Sequence, residues 1–408
     1  VVAEGFWEPY ERDTVHELYS VTKSFTSTAV GLAHSEGKLS LESPVLDFFP
    51  EYAPSSHSEQ LRALQVKDLL TMTTGHTKSS AEAISHGDPE HEVHRFLAQS
   101  LAFSPGTHFV YNTPASNVLS AIVQKVTGQN LRDYLATRLF EPLGIALPPW
   151  ASTSDGVTFG GFGLSLRTED LAKLAELYLR KGSWRGRQLV PAEWTVAATS
   201  RQVSTGPGAR GDWAQGYGYQ FWRSTHGYRA DGAFGQFALV LPEHDAVIAI
   251  TSGTDDTKSV LALVWDKLLP ALNAEALAPD EANAGKLEAR LAKLTLAPRA
   301  GTLMPSRPER FSGKRYAFSV SDGSPSEVSV EWNAAEKLAT LTLLLRGQDQ
   351  RIACRSGAWI KSRVALFGDQ AMPLAASCAW TSRDTLAVRL RFYERSWHID
   401  YNLHFEAK

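Results

Sequence analysis

The hydrophobic period changes twice along this 408-residue chain, and each change limits the folds open to it. Between Ser20 and Lys181 apolar residues recur at three- and four-residue intervals, the spacing of one helix face. Phe25, Ala29, Val30 and Leu32 fit a helix that stops at Gly37. Val118, Leu119, Ile122, Val123 and Val126 fit another over Ala115–Val126, followed by Gly128 and a helix over Leu131–Phe140. Thr168 reads as the N-cap of a helix to Lys181, with Leu171, Leu174, Leu177 and Tyr178 on one face and Gly182 as its stop. Then strands take over, at Tyr217–Trp222, Phe234–Leu241 and Ala246–Thr251, the last two joined by Pro242-Glu243-His244-Asp245. A helix over Ser259–Leu272 closes this part. The opening Val1–Trp7 also reads as a strand. Strands around a helical middle predict an α/β sandwich, an antiparallel sheet with flanking helices and an inserted helical lobe at about 63–160.

The second change comes near residue 273. Residues 273–304 are rich in Ala, Pro and Lys and read as a linker, with one amphipathic helix around Lys286–Leu294. After Phe311 short alternating segments follow: 316–320, 327–332, 339–345, 358–364, 386–391 and 397–405. They predict a C-terminal antiparallel β module over 305–408, a curved sheet or partial barrel. The expected domains are therefore 1–272, the linker 273–304 and 305–408.

Composition removes several function classes. A net charge of −3 gives no electrostatic reason to bind nucleic acid or an anionic membrane. No apolar run reaches the roughly 18 residues that a membrane span needs. Cys354 and Cys378 read as buried thiols rather than a disulfide or metal site. His86, His91 and His94 fall in a polar stretch, 77–95, that reads as a surface loop; no second cluster supports a metal there. No cofactor is expected. The chain opens directly on an apparent strand, which reads as a trimmed or incomplete N-terminus. The expected setting is a soluble bacterial protein, of cytoplasm or periplasm.

Ser20-Val21-Thr22-Lys23 opens the first helix. Residues three apart on a helix are neighbours, so the hydroxyl and the amine can meet. Serine is a weak nucleophile until a base takes its proton, and a desolvated lysine is such a base. Ser35-Glu36-Gly37-Lys38 has the same spacing but straddles the helix stop at Gly37, which holds its pair poorly. A serine–lysine pair also needs a proton carrier toward the leaving group. Tyr111, in Tyr111-Asn112-Thr113 at a loop-to-helix junction, is placed to be one.

Together these segments resemble the serine β-lactamase and penicillin-binding-protein superfamily, in particular the class C β-lactamase-like hydrolases and family VIII carboxylesterases. The resemblance rests on Tyr19-Ser20-Val21-Thr22-Lys23-Ser24-Phe25, Glu36–Leu41, Leu69–Gly75, Ser104-Pro105-Gly106 and Tyr111-Asn112-Thr113. It continues through Gly161–Ser165, Asp170-Leu171-Ala172, Gly216–Tyr219 and Gly232–Gln236, in the family's order over residues 1–272. It implies a β-lactamase-like α/β fold. Ser20 is implied as the acylated nucleophile, Lys23 as its base, and Tyr111 as a proton shuttle kept partly ionised by Lys23. The backbone N–H groups of Ser20 and Ala233 are implied as the oxyanion hole. Asn112, Thr113, Asp231 and Gly232 are the implied substrate-binding positions.

Two departures stand out. Thr113 replaces the family's orienting amide, and Asn112 is displaced by one position. Ala230-Asp231-Gly232 stands where the family has Lys-Thr-Gly or His-x-Gly, so the cation is gone. Arg229, its strand neighbour, points to the opposite face from Ala230, and Asp231 shares that difficulty. A small neutral ester or amide is thus favoured over a carboxylate-bearing substrate. β-Lactamase and D-amino-acid peptidase or carboxypeptidase activity remain alternatives, as does a catalytically silent binding or scaffold homologue. The oligomeric state is left open.

Overall fold

Helix α1 (Thr22–Ser35) is buried along nearly its whole length, which places it at the centre of its unit rather than on a surface. In the computed structural model, residues 1–54, 58–80, 92–272, 278–301, 303–305, 307–317, 325–368 and 370–405 are described. The expected loop histidines His86 and His91 lie outside them, as does the end of the strand expected at 316–320.

The chain divides into two compact units, Val15–Ala276 and Val1–Thr14 with Leu277–Lys408. The first fourteen residues therefore belong with the C-terminal residues. They form no strand of the first unit's sheets; Glu8 makes only an isolated bridge to Thr295.

In the first unit, α1 ends where Gly37 takes a left-handed φ of +68°, a conformation open to glycine at no steric cost. Helix α2 (Thr113–Thr127) packs along α1 and ends the same way at Gly128. Helix α3 (Thr168–Leu179) lies on a four-stranded antiparallel sheet in the order β1 (Trp222–Arg223), β2 (Tyr228–Gly232), β3 (Gln236–Leu241) and β4 (Ala246–Ile250). Alternation along β3 explains why both faces are covered. Ala238 and Val240 join the main core with α1 and α3, while Phe237 and Leu239 join a second cluster with Leu261 and Val264 of the closing helical segment.

Three expectations shift here. Tyr217–Trp222 is mostly irregular, since Gly216 and Gln220 hold positive φ; Tyr217 makes isolated bridges to Val203 and Trp222, and the continuous strand starts only at Trp222. Phe234 and Gly235 form the β2–β3 turn rather than opening a strand. Leu131–Phe140 changes from an α-helix to a wider turn at Ala136.

The second unit is dominated by an eight-stranded sheet. The strands foreseen at 327–332, 339–345, 358–364, 386–391 and 397–405 are present within a residue or two. Two were not foreseen, Gln348–Arg355 and Met372–Trp380. The former begins on a polar run. The latter is buried along nearly its whole length and so lacks alternation. Cys354 and Cys378 lie on these two strands as buried free thiols. Helix Glu281–Leu291 occupies the expected linker, earlier than the helix read at Lys286–Leu294. Among the described residues no helix is long and apolar enough to cross a membrane, and no three His, Cys, Asp or Glu side chains group to hold a metal ion.

Candidate active site

Ser20 stands in a single tight turn, Tyr19–Val21, that runs directly into α1. Tyr19 takes φ +47°, which costs a bulky L-residue on the order of 1–3 kcal/mol. Phe234, beyond Ala233 in the β2–β3 turn, is held at φ +63°. The two rings meet edge to face at 5.0 Å. Two strained residues thus flank the turn carrying Ser20 and the turn carrying Ala233, and their side chains brace each other.

Lys23 lies one helical turn on and is only 1% exposed. Its Nζ is 3.0 Å from Ser20 Oγ, 3.2 Å from Thr113 Oγ1 and 2.8 Å from the Gly161 carbonyl oxygen. Burial pushes its pKa down to about 7, because the charged amine is the form that loses hydration. A neutral amine has two N–H donors and one lone pair. Donating to Gly161 and Thr113 leaves the lone pair for the Ser20 hydroxyl, so no polar group is orphaned when the proton leaves.

Tyr111 completes the group. Its hydroxyl is close enough to Ser20 for that hydroxyl to favour the ionised phenol, and Lys23 Nζ lies 5.0 Å from its ring centroid. Trp222 stacks on the ring at 5.7 Å and Tyr217 meets it edge-on at 6.3 Å. Desolvation, opposed by the Ser20 hydroxyl and reinforced by the charge of Asp231, raises its pKa above the usual phenol range. Tyr111 is therefore a neutral phenol at rest, not the partly ionised group implied by the resemblance. Removing water disfavours phenolate, and Lys23, shifted down to about 7, is only partly charged near neutral pH and does little to stabilise one.

Strand β2 forms the opposite wall. A Cβ on Gly232 would lie 2.4 Å from Leu18 O and 3.2 Å from Val21 N. Only glycine lets the strand pass this close to the turn of Ser20, which brings the Ala233 peptide alongside. Ala230 is 1% exposed and packed in the main core. Arg229 and Asp231 share the other face, where Arg229 Nε donates to Asp231 Oδ2 at 2.9 Å. Along β2, Asp231 alone is not fully buried.

Two positions differ from expectation. Asn112 is fully buried, and its Oδ1 accepts from Ser80 N and Oγ at 3.2 and 2.8 Å, so its side chain anchors a loop and cannot face a substrate. Thr113 turns its hydroxyl to Lys23 rather than standing in for a substrate-orienting amide. The sequence reading missed Gly161 as a lysine acceptor. The glycine run Gly160-Gly161-Phe162-Gly163 was the available signal. Cβ atoms at Gly160 and Gly161 would lie 2.0 Å from Ser116 O and 2.6 Å from Thr113 Cγ2, closing the approach to α2.

Comparison with known proteins decides the family. The Beta-lactamase family model matches residues 1–272. The chain belongs to this family. A 6-aminohexanoate-dimer hydrolase from Paenarthrobacter ureafaciens is 27% identical over 278 residues, 63% of this chain and 70% of that protein. Esterase EstB from Burkholderia gladioli is 30% identical over 152 residues, 34% of this chain and 38% of that protein. A solved structure of SurE with D-Leu matches with a TM-score of 0.52 at 19% identity, covering 97% of this chain and 88% of that one. That likeness shows the fold, and it extends over the C-terminal unit. The chain is a hydrolase of the β-lactamase family, and its relatives include an esterase and a dimer hydrolase by name.

Proposed function

We propose that this protein is a serine hydrolase that cleaves small esters or amides through an acyl-enzyme on Ser20. The observation that carries the reading is the buried Lys23, with a pKa near 7, held 3.0 Å from Ser20 Oγ. Ser20 Oγ attacks the substrate carbonyl carbon while its proton passes to the lone pair of Lys23 Nζ. The oxygen of the tetrahedral adduct takes the negative charge and faces the N–H groups of Ser20 and Ala233. Collapse breaks the bond to the leaving group, which takes the phenolic proton of Tyr111; Tyr111 is reprotonated from Lys23. Water then repeats the sequence on the acyl-enzyme, releasing the acid and regenerating Ser20.

The strand wall bears on substrate choice. Ala230 is packed in the core, so it presents nothing to the cleft. Arg229 is fully buried, and its guanidinium is engaged by Asp231, Ser224 Oγ and the Arg223 carbonyl. No cation on β2 is available to pair with a substrate carboxylate, which favours esters and amides without one. A fluorophosphonate probe followed by mass spectrometry of the labelled peptide tests the reading. The adduct is expected on Ser20; an unlabelled protein, or a label elsewhere, sinks it.

A further inference from the structure

Gly161 supplies one of the two acceptors that Lys23 uses, and its own backbone is held by a side chain that takes no part in the chemistry. Its carbonyl oxygen accepts from Lys23 Nζ at 2.8 Å, and its N–H donates to Asn117 Oδ1 at 2.9 Å. Asn117 is 5% exposed and lies four residues beyond Thr113 on α2. Residues four apart share a helix face. One face of α2 therefore serves both acceptors of the lysine, Thr113 directly through its hydroxyl and Asn117 through Gly161. Gly161 is wedged against that face, since a Cβ there would lie 2.6 Å from Thr113 Cγ2 and 3.3 Å from Asn117 Oδ1.

The Asn117 amide is oriented from its other end by Glu92, a buried residue that opens the helix Glu92–Leu97. Asn117 Nδ2 donates to Glu92 Oε2 at 2.8 Å. The two bonds allow one orientation of the amide. A backbone N–H can only donate, so Oδ1 must face Gly161 and the NH2 group is left for Glu92. A continuous chain of hydrogen bonds thus runs from Glu92 through Asn117 and Gly161 to Lys23 Nζ.

We propose that Asn117, oriented by Glu92, is a positioning residue for Lys23: it fixes the Gly161 carbonyl that turns the lone pair of the amine toward Ser20. This rests on the serine-hydrolase reading and deepens it, because both side chains act through the base rather than on the reacting atoms. A neutral amine is aimed by whatever accepts its two protons. With Thr113 as sole acceptor, the second N–H and the lone pair could exchange places, and Gly161 selects the arrangement in which the lone pair faces Ser20. Without Asn117 the Gly161 N–H would be buried and unpaired, a cost that the glycine relieves by turning, and its carbonyl turns with it. The neighbouring anchors do not replace Asn117. Thr26 of α1 donates to the Gly160 carbonyl at 2.7 Å and Ser120 to the Thr158 carbonyl at 2.5 Å, both earlier in the loop than the peptide that carries the acceptor of the lysine.

The test measures kcat and KM of the whole protein on a neutral nitrophenyl ester at pH 9, where Lys23 is neutral. Asn117→Leu keeps the volume of the amide and removes both bonds. It should lower kcat by about ten- to a hundredfold with KM within about twofold. In a Lys23→Ala background the same change should cost less than about twofold, because no amine is left to aim. The exchange Asn117→Asp with Glu92→Gln keeps both hydrogen bonds with donor and acceptor traded, and should hold kcat within a few-fold of wild type. Should Asn117→Leu fail to fold by circular dichroism, Asn117→Ser, polar but too short to reach Gly161, takes its place in the same cycle, and the exchanged pair is read in either case. An unchanged kcat, a loss carried by KM, an equal loss in the Lys23→Ala background or an exchanged pair no better than the single variant overturns the proposal. Fluorophosphonate labelling of Ser20 at an undiminished rate in Asn117→Leu would remove this inference alone, whereas absence of labelling in the wild type would remove the hydrolase reading beneath it.

Discussion

The two walls of the cleft are built on opposite principles. On the helix wall each polar group of the Ser20–Lys23–Tyr111 set has a partner inside the set or in the adjacent backbone. Its core pair is local, with Ser20 and Lys23 three residues apart, while Tyr111, Thr113 and Gly161 reach it from distant segments. The strand wall is built from absence and compensation. Gly232 contributes the lack of a side chain, Ala230 fills core, and Asp231 is positioned by a buried arginine. In the proposed mechanism the chemistry falls to the first wall and substrate choice to the second. Damage to the helix wall should therefore abolish turnover on every substrate, and damage to the strand wall should be graded.

The sharpest contrast lies between the turn that leads into α1 and the far end of that helix. Ser20→Ala should lower hydrolysis of a short-chain nitrophenyl ester by about 10⁴-fold or more. Ser35→Ala should keep most of the activity, since Ser35 Oγ only returns to the Leu32 carbonyl at the far end of the helix. Equal losses in the two variants would break the assignment of the nucleophile.

Next in size are the two proton carriers. Lys23→Ala and Tyr111→Phe should each cost about 10²–10⁴ in kcat, the range for general acid–base groups. Both act on the same proton of Ser20, so the double variant should lose little more than the worse single one. Losses that multiply would show two independent groups and dissolve the unit.

On the strand wall, Gly232→Ala places a methyl 2.4 Å from Leu18 O, a backbone atom that cannot swing away. The strand or the Ser20 turn must shift by a good fraction of an ångström. A misplacement of that order costs about 10²-fold in rate. Labelling of Ser20 by a fluorophosphonate should slow alongside kcat, while the fold persists by circular dichroism. Wild-type rates in this variant would show that the close approach of β2 is not needed.

How far the sequence could be read follows the same division. The helix wall was legible because its logic is local: a three-residue spacing, a run of apolar residues and a glycine stop predict Ser20 beside Lys23. The strand wall was legible only in part. Alternation alone put Arg229 and Asp231 on the face opposite Ala230, and that holds. Which of those faces lines the cleft depends on the packing of β2 against Leu18 and Val21, more than 200 residues away, and no local pattern carries it. Asn112 failed for a related reason, because its burial depends on Ser80 from a distant loop. In the C-terminal unit, alternating strands were visible and the central Met372–Trp380 was not, since a strand buried on both faces has no polar beat to count.

The smallest effect concerns the energetic cost of the helix wall. Lys23 carries a pKa near 7 in the folded chain, against 10.5 for the free side chain. Between those values the unfolded chain binds one proton more than the folded one, so this residue makes stability rise with pH. Below pH 7 both states are protonated, and the burial penalty is present in full. Lys23→Met removes the titration. Its stability relative to wild type should therefore be highest and flat below pH 7, then decline by about 1 kcal/mol per pH unit up to pH 9. Urea unfolding of both proteins at pH 6, 8 and 9 measures the gap. Catalysis should follow the same ionisation with the opposite consequence: wild-type kcat/KM falls about tenfold per unit below pH 7, as the base becomes protonated. A stability gap independent of pH, together with a rate that does not fall through pH 7, would mean that Lys23 keeps its proton in the fold. The base would then have to be sought elsewhere on the helix wall, with Tyr111 the next group in contact with Ser20.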